Sequence, residues 1–303
     1  MSFDVPILIL SFNRPELIYK QLKLLKNLKP STLYIFSDGP RKNNHSDYSK
    51  VYECRKLFQN NINWDCNKIF KFEQSNLGCG LGVSTAISWF FSNISEGLII
   101  EDDCFLAESF FPFAKKMLEI YRNDSSIAGI TADFKISSLQ TSKYGFISYP
   151  LIWGWASWRR SWEGYSLYLK DFDNKKLPKR IRPMPKQQQQ YWIYNFKKIQ
   201  NSKKPHTWDV QFCYLVFARD QNFIHPFTNL ISNQGFGLDA THTKNSFDEY
   251  SNLKLGIIKA PYELDLETKN YEEYLSHNLF IKKSILLKIV LFIRNLLKNF
   301  LSN

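Results

Sequence analysis

The chain has 303 residues, 44% of them hydrophobic and 16% aromatic, and 40 Lys and Arg against 28 Asp and Glu give a formal charge of +12. That length and apolar content exclude a small stapled fold and a disordered chain, and leave room for one large domain or a domain with an appendage. The positive balance favours anionic partners such as nucleotides, phosphorylated glycolipids, membrane surfaces or nucleic acid, without choosing among them.

The first ten residues, MSFDVPILIL, carry Asp4 and Pro6 and no basic leader, so they read as a first strand and not as a signal peptide. Short apolar runs then alternate with helical patterns. PILILSF is followed by Glu16–Leu28, TLYIFSDG by Ser49–Asn61, KIFKFEQ by Gly80–Ser92, and GLIIEDD by Ser109–Arg122, before IAGITADF closes the series. This rhythm predicts an α/β fold with a mostly parallel, Rossmann-like sheet flanked by helices. Ligands of such sheets bind beyond the carboxyl ends of the strands. Asn13 and Arg14, Asp38, and the trio Glu101, Asp102 and Asp103 stand at three such ends.

The trio poses an electrostatic problem. Two carboxylates roughly 5 Å apart repel by about 3 kcal/mol at an effective dielectric of about 20, so a cation is expected beside them. Alternation along a strand puts Glu101 and Asp103 on one side and Asp102 on the other. Hard oxygen ligands suit Mg²⁺ or Mn²⁺, and Mg²⁺ is commonly held by one or two carboxylates with phosphate and water completing its shell. One metal-directed acid beside another free to accept a ribose hydroxyl fits a nucleoside diphosphate. The nearby GCGLG at 78–82 imitates a dinucleotide loop, but Val83 stands where a third glycine is required and the motif opens the third βα unit, which excludes a nicotinamide or flavin site.

Beyond residue 150 the pattern turns aromatic. Trp155, Trp158 and Trp162 are spaced as a core stripe. No carboxylate lies between Asp173 and Asp209, while ten Lys and Arg do; the prolines at 178, 183 and 185 and the run Gln187 to Gln190 predict a mobile loop in the first half of this stretch, and the stretch is either a solvated charge run or a lid over an anionic substrate. Cys54, Cys66, Cys79, Cys104 and Cys213 form no CxxC pair and are odd in number, which suggests neither a zinc ribbon nor a closed disulfide framework and fits a reducing cytosol. No segment reaches the roughly 18 charge-free apolar residues that span a bilayer. The tail 281–301 is a basic amphipathic helix on a wheel, about 30 Å long, and either lies on an anionic membrane surface or packs on the domain's own core.

The segments VPILILSFNRP, FSDGP, NLGCGLGV, EDDCFLAESFF, WGWASWRRSW, WDVQF and GFGLDATHT together resemble bacterial GT-A nucleotide-diphospho-sugar transferases of the haemolytic-protein-like group. More distantly they are similar to eukaryotic N-acetylglucosaminyltransferase I. The resemblance spans roughly residues 4–245. It implies a nucleotide-sugar half over 1–150 and an acceptor and catalytic half over 151–262, and leaves the last sixty or so residues unexplained; 263–303 are expected to form a helical tail from their own pattern. It further implies Arg14 and Asp38 on the uracil, Glu101 on the donor sugar, Asp102 on the ribose, Asp103 on a Mn²⁺ or Mg²⁺ ion, and Asp209 of the Trp208-Asp209 pair as catalytic base. Val210 follows where the related enzyme has a second acid, and without the resemblance Asp209 reads as a helix cap or an ion-paired aspartate. His242 is a further candidate for the metal or diphosphate, with a buried structural histidine as its other reading.

The expected activity is metal-dependent, inverting transfer of a hexosyl group from a nucleotide diphosphate donor, a UDP-sugar by resemblance, to a glycan or glycolipid. A sugar-phosphate nucleotidyltransferase shares the sheet, but its Gly-rich basic loop after the first strand is replaced here by SFNRP. A non-catalytic binder of anionic surfaces uses the charge alone; for it, clustered acids at a binding edge are unfavourable, and nucleic acid is not an expected partner. The expected location is the cytoplasm, on the inner face of the membrane if the tail binds lipid.

Overall fold

The computed structural model describes residues 2–136, 140–235 and 253–281, the last three of these by backbone alone. In chain order the first half contains β1 (Ile7–Ser11), α1 (Pro15–Leu28), β2 (Thr32–Ser37), α2 (His45–Asn61), β3 (Asn67–Phe72), α3 (Gly78–Asn93), β4 (Glu96–Glu101), β5 (Cys104–Leu106), α4 (Phe110–Ile120), β6 (Ile127–Thr131) and β7 (Gln140–Ile147). The second contains β8 (Trp155–Trp158), α5 (Arg159–Trp162), α6 (Lys186–Gln200), α7 (Asp209–Ala218), β9 (Asn222–Pro226), β10 (Ile231–Asn233), β11 (Ile257–Leu264), α8 (Lys269–Leu275) and a π-helical turn, Ser276–Ile281.

Among the described residues nine strands form one sheet in the order β11-β7-β9-β6-β8-β4-β1-β2-β3, and β5 pairs with β10 in a small ribbon. β1, β2, β3, β4, β6 and β9 run one way, and β7, β8 and β11 the other. The expected mostly parallel α/β sheet is therefore present. The chain winds outward from β1 through β2 to β3 and then returns to place β4 on the other side of β1. The carboxyl ends of β1 and β4 thus flank a topological switch point, where doubly wound sheets open a crevice.

Both faces of the sheet are covered, which explains the unbroken apolar runs of its central strands. On one face Ile7, Ile9, Leu98 and Ile100 meet Ile18 and Leu22 of α1, Phe58 of α2, and Phe110 and Phe113 of α4. On the other, Leu8, Leu10, Ile99 and Trp155 meet Phe90 of α3 and Trp208 and Phe212 beside and on α7. Trp155, Trp158 and Trp162 are all buried, as the core reading expects, although the first two sit on β8 and only Trp162 on a helix.

The first half of the basic stretch is without helix or strand as far as Pro185, but the Gln run differs from the predicted mobile loop. The Gln run is the first turn of α6, and the helix buries Gln188, Trp192, Phe196 and Ile199. Gln188 donates to the Tyr149 hydroxyl at 2.8 Å, Ile181 is fully buried, and Arg180 reaches both Ser148 and Asp220. A polar sequence is held by partners far along the chain. Ser276 at the π-helical turn also donates to Gln188, at 2.8 Å, so the end of the described chain rests on α6. The tail from 282 onward and His242 lie outside the described residues. Among the described residues no helix is long and apolar enough to cross a membrane.

Candidate functional site

A cavity of about 780 Å³ opens at the switch point. Phe12, Asn13 and Arg14 enter it from the loop after β1, Asp38 from the end of β2, Cys79 from the start of α3, and Glu101 and Asp102 from the end of β4. Asp103 is the next residue, and Asp209 lies outside the cavity lining.

Arg14 is the cation beside the acids. One of its nitrogens, Nη1, donates to Asp102 Oδ1 at 2.9 Å and to Asp103 Oδ2 at 2.7 Å. Pro15 starts α1 immediately after it and keeps the Arg14 backbone out of the helical region, so Arg14 stands at the boundary between the β1 loop and the helix. Asp102 also accepts from the Phe12 amide at 3.1 Å, tying the β1 loop to the end of β4. Gln21 of α1 donates to the carbonyls of Glu101 and Cys104 and fixes the turn between β4 and β5. From the opposite side, the Gln234 amide donates to the Asp103 carbonyl at 2.8 Å. Gly235 lies so close to the Asp103 carboxylate that a Cβ would collide with it.

Glu101 is left without compensation. Its carboxyl forms no hydrogen bond or ion pair among the described residues. Burial, then the charges of Asp103, Asp102 and Asp209, push its pKa up to about 8 against the weaker pull of Arg14. The expected alternation does not extend past Glu101: β4 ends there, and Asp102 and Asp103, in the turn that follows, share one Arg14 nitrogen. Asp102 is itself raised to about 6, by burial first and Asp103 second. Arg14 thus pairs with two of these carboxylates, Asp102 and Asp103, and leaves Glu101 without a contact.

Asp209, at the N-terminus of α7, is brought within electrostatic range of Glu101 by an unusually close packing of backbone. At Gly80 in α3 a side chain would run into the carbonyl of Pro205 and approach that of Thr207 to 3.1 Å. Gly80, the middle glycine of GCGLG, therefore lets the segment leading to Asp209 lie against α3, a role the motif's resemblance to a dinucleotide loop conceals. Asp209 Oδ1 accepts from the Thr207 hydroxyl and, at 2.8 Å, from the Val210 amide. Oδ2 has no hydrogen-bond partner among the described residues.

Asp38 has a different environment. Its two oxygens accept from the amides of Gly39, Leu77 and Gly78 and from the Asn76 side chain, at 2.8 to 3.1 Å. It caps the start of α3, and burial holds its pKa above the usual carboxylate range despite those bonds. With about four acceptor positions on a carboxylate, little capacity remains for a ligand. Sequence reasoning also missed Asp47, which is fully buried in the first turn of α2. It accepts from Arg41 through Nε at 2.6 Å and Nη2 at 2.9 Å, and from Asn13 at 2.8 Å. Its only local signal is an acid three residues after the capping Asn44.

The structure thus gathers Arg14, Asp38, Glu101, Asp102 and Asp103 at one end of the sheet and puts Asp209 in their electrostatic field. The donor set suits a hard divalent cation: Glu101 is an unpartnered carboxyl in a strongly negative field. Among the described residues no three His, Cys, Asp or Glu side chains form a ready-made cage, but Mg²⁺ at a phosphate site needs only one or two.

No family model matches the chain, and no curated protein matches it in sequence. Solved structures that it resembles include HddC from Yersinia pseudotuberculosis, at 13% identity and a TM-score of 0.32 over 53% of this chain and 80% of that one. A UDP-glucose pyrophosphorylase, also solved with UDP-glucose, is 10% identical with a TM-score of 0.35 over 77% and 93%. Mannose-1-phosphate geranyltransferase from Thermus thermophilus is 9% identical with a TM-score of 0.34 over 76% and 75%. At such distances no activity or residue role transfers to this chain.

Proposed function

We propose that the protein is a metal-dependent inverting glycosyltransferase that moves a sugar from a uridine diphosphate donor to a hydroxyl of a glycan or glycolipid. One observation carries this reading: an unpartnered Glu101 carboxyl at the switch-point cavity, with a second carboxylate, Asp209 at the start of α7, within its electrostatic range.

Inverting transfer needs a base for the acceptor hydroxyl and a positive field for the departing diphosphate. Asp209 is the base. The Thr207 hydroxyl and the Val210 amide fix Oδ1, which leaves Oδ2 to take the proton as the acceptor oxygen bonds to the anomeric carbon and the bond to the diphosphate breaks. Glu101 and Asp103 would hold Mn²⁺ or Mg²⁺, which supplies positive charge to the leaving diphosphate when bound. Arg14 keeps Asp102 and Asp103 in place and adds a fixed cation at the same wall.

Purified protein incubated with a panel of sugar nucleotides and Mn²⁺ tests the reading. Release of a nucleoside diphosphate is expected, and Asp209→Asn is expected to lower turnover by about 10²- to 10⁴-fold while leaving donor affinity within a factor of two or so. If no sugar nucleotide binds or is consumed, the proposal fails. Pyrophosphate release from a nucleoside triphosphate and a sugar phosphate would point instead to nucleotidyl transfer.

A further inference from the structure

The cavity has two chemically distinct ends. Glu101 and Asp102 line it where Arg14 and Phe12 tie the loop after β1 to the end of β4, whereas Asn13, Arg41 and Asp47 line it where that loop meets the first turn of α2. A diphosphate accompanied by a divalent cation belongs at the acidic end, so the base of a nucleotide falls between the β1 loop and α2. There the Phe12 ring lies 5.3 Å from the Arg41 guanidinium, which gives the pocket flat surfaces.

Asn13 is oriented by chemistry. Its side-chain nitrogen lies 2.8 Å from Asp47 Oδ1. An ionised carboxylate only accepts hydrogen bonds, so the nitrogen and not the oxygen of the amide must face it. Asp47 is fully buried, and its proton affinity is lowered first by the hydrogen bond from Arg41. It therefore stays a carboxylate. The Asn13 oxygen consequently points away from Asp47 and makes no hydrogen bond among the described residues, in a side chain that lines the cavity.

We infer that Asn13 is the residue that selects the nucleobase, its oxygen accepting the ring N–H of a keto base, and that Asp47 is the positioning residue that prevents the amide from turning over. Uracil carries such an N–H at N3 and guanine at N1; cytosine and adenine present a bare acceptor nitrogen at the corresponding edge and are repelled. The inference rests on the reading of the cavity as a nucleoside diphosphate site. It adds a selection rule to that reading, and the residue that enforces it.

Binding of UDP, GDP, CDP and ADP to the full chain, measured by calorimetry with Mn²⁺ present, tests it. The wild type is expected to hold UDP or GDP at least ~10-fold more tightly than CDP or ADP, since a polar mismatch at a hydrogen-bonding site costs at least that much. The UDP and GDP arms distinguish the two keto bases by size. Asn13→Ala is expected to bring the four ligands within about 3-fold of one another, with a melting temperature a few degrees lower because buried Asp47 loses one donor. Asp47→Asn, which lets the Asn13 amide turn, is expected to move the preference towards CDP. The preference is a ratio within each variant, so a general loss of affinity does not affect it. A wild type that prefers CDP or ADP, or an Asn13→Ala variant that keeps the keto preference, overturns the inference while leaving the transferase reading intact. Failure of all four to bind overturns both.

Discussion

Replacing Glu101 by Gln is expected to make the protein more stable and inactive in the same step. The folded chain raises this carboxyl from its ordinary 4.5 to about 8, through burial and then through Asp103, Asp102 and Asp209. Between those values the native state binds a proton that the unfolded state has released. The group's contribution to stability is therefore fully present below pH 4.5 and is lost as the pH rises through 8. A gap of about 3.5 pH units is equivalent to about 5 kcal/mol. Because neighbouring acids share the titration and part of the carboxyl is solvated, on the order of 2–3 kcal/mol should be recovered by the neutral isostere at pH 8. Urea unfolding of both proteins between about pH 5 and about pH 9 measures this. The curves should converge at the acid end and diverge above neutrality, and Mn²⁺ should stabilise only the wild type. A Gln variant no more stable than wild type at pH 8, or a difference that does not depend on pH, would refute the account of Glu101 as an uncompensated binding-site acid.

Other expectations follow from equally local features. Gly235→Ala forces a methyl group into the Asp103 carboxylate; a loss of about 1–3 kcal/mol by denaturant melting is expected, together with a weaker response to Mn²⁺. His225 is fully buried, and burial lowers its pKa from 6.5 to about 4. The unfolded chain takes up a proton that the folded chain refuses, so stability is full above 6.5 and falls by about 3 kcal/mol as the pH drops towards 4. His225→Leu should remove that part of the acid sensitivity, read as the difference between the two unfolding profiles. Deleting residues 281–303 should shift the protein from the membrane to the soluble fraction, and unchanged partitioning would count against a lipid-binding tail.

The sheet was legible because its units are local. ILIL, TLYIF and GLII each carry their own burial pattern, and Pro15 marks a helix start without help from elsewhere. The acids at the strand ends were legible for the same reason. What joins them was not. Arg14 meets its carboxylates across nearly ninety positions of sequence, and no pattern distinguishes it from an arginine that faces a ligand. Asp38 could be placed at the site, but its saturation by the start of α3 depends on how that helix docks. Asp47 reads as an ordinary first-turn acid until Asn13 and Arg41 converge on it. Gln188 shows most directly why the Gln run was misread: its burial depends on the Tyr149 hydroxyl, and a run of four glutamines gives no sign of that.

The meeting of Gly80 with the Pro205 carbonyl has an evolutionary corollary. The span from the pocket to the proposed proton acceptor is set by peptide groups touching, with no side chain in between to act as an adjustable spacer. Substitutions nearby can therefore alter which molecules enter, whereas the reach between the two halves stays fixed unless the main chain itself is redrawn.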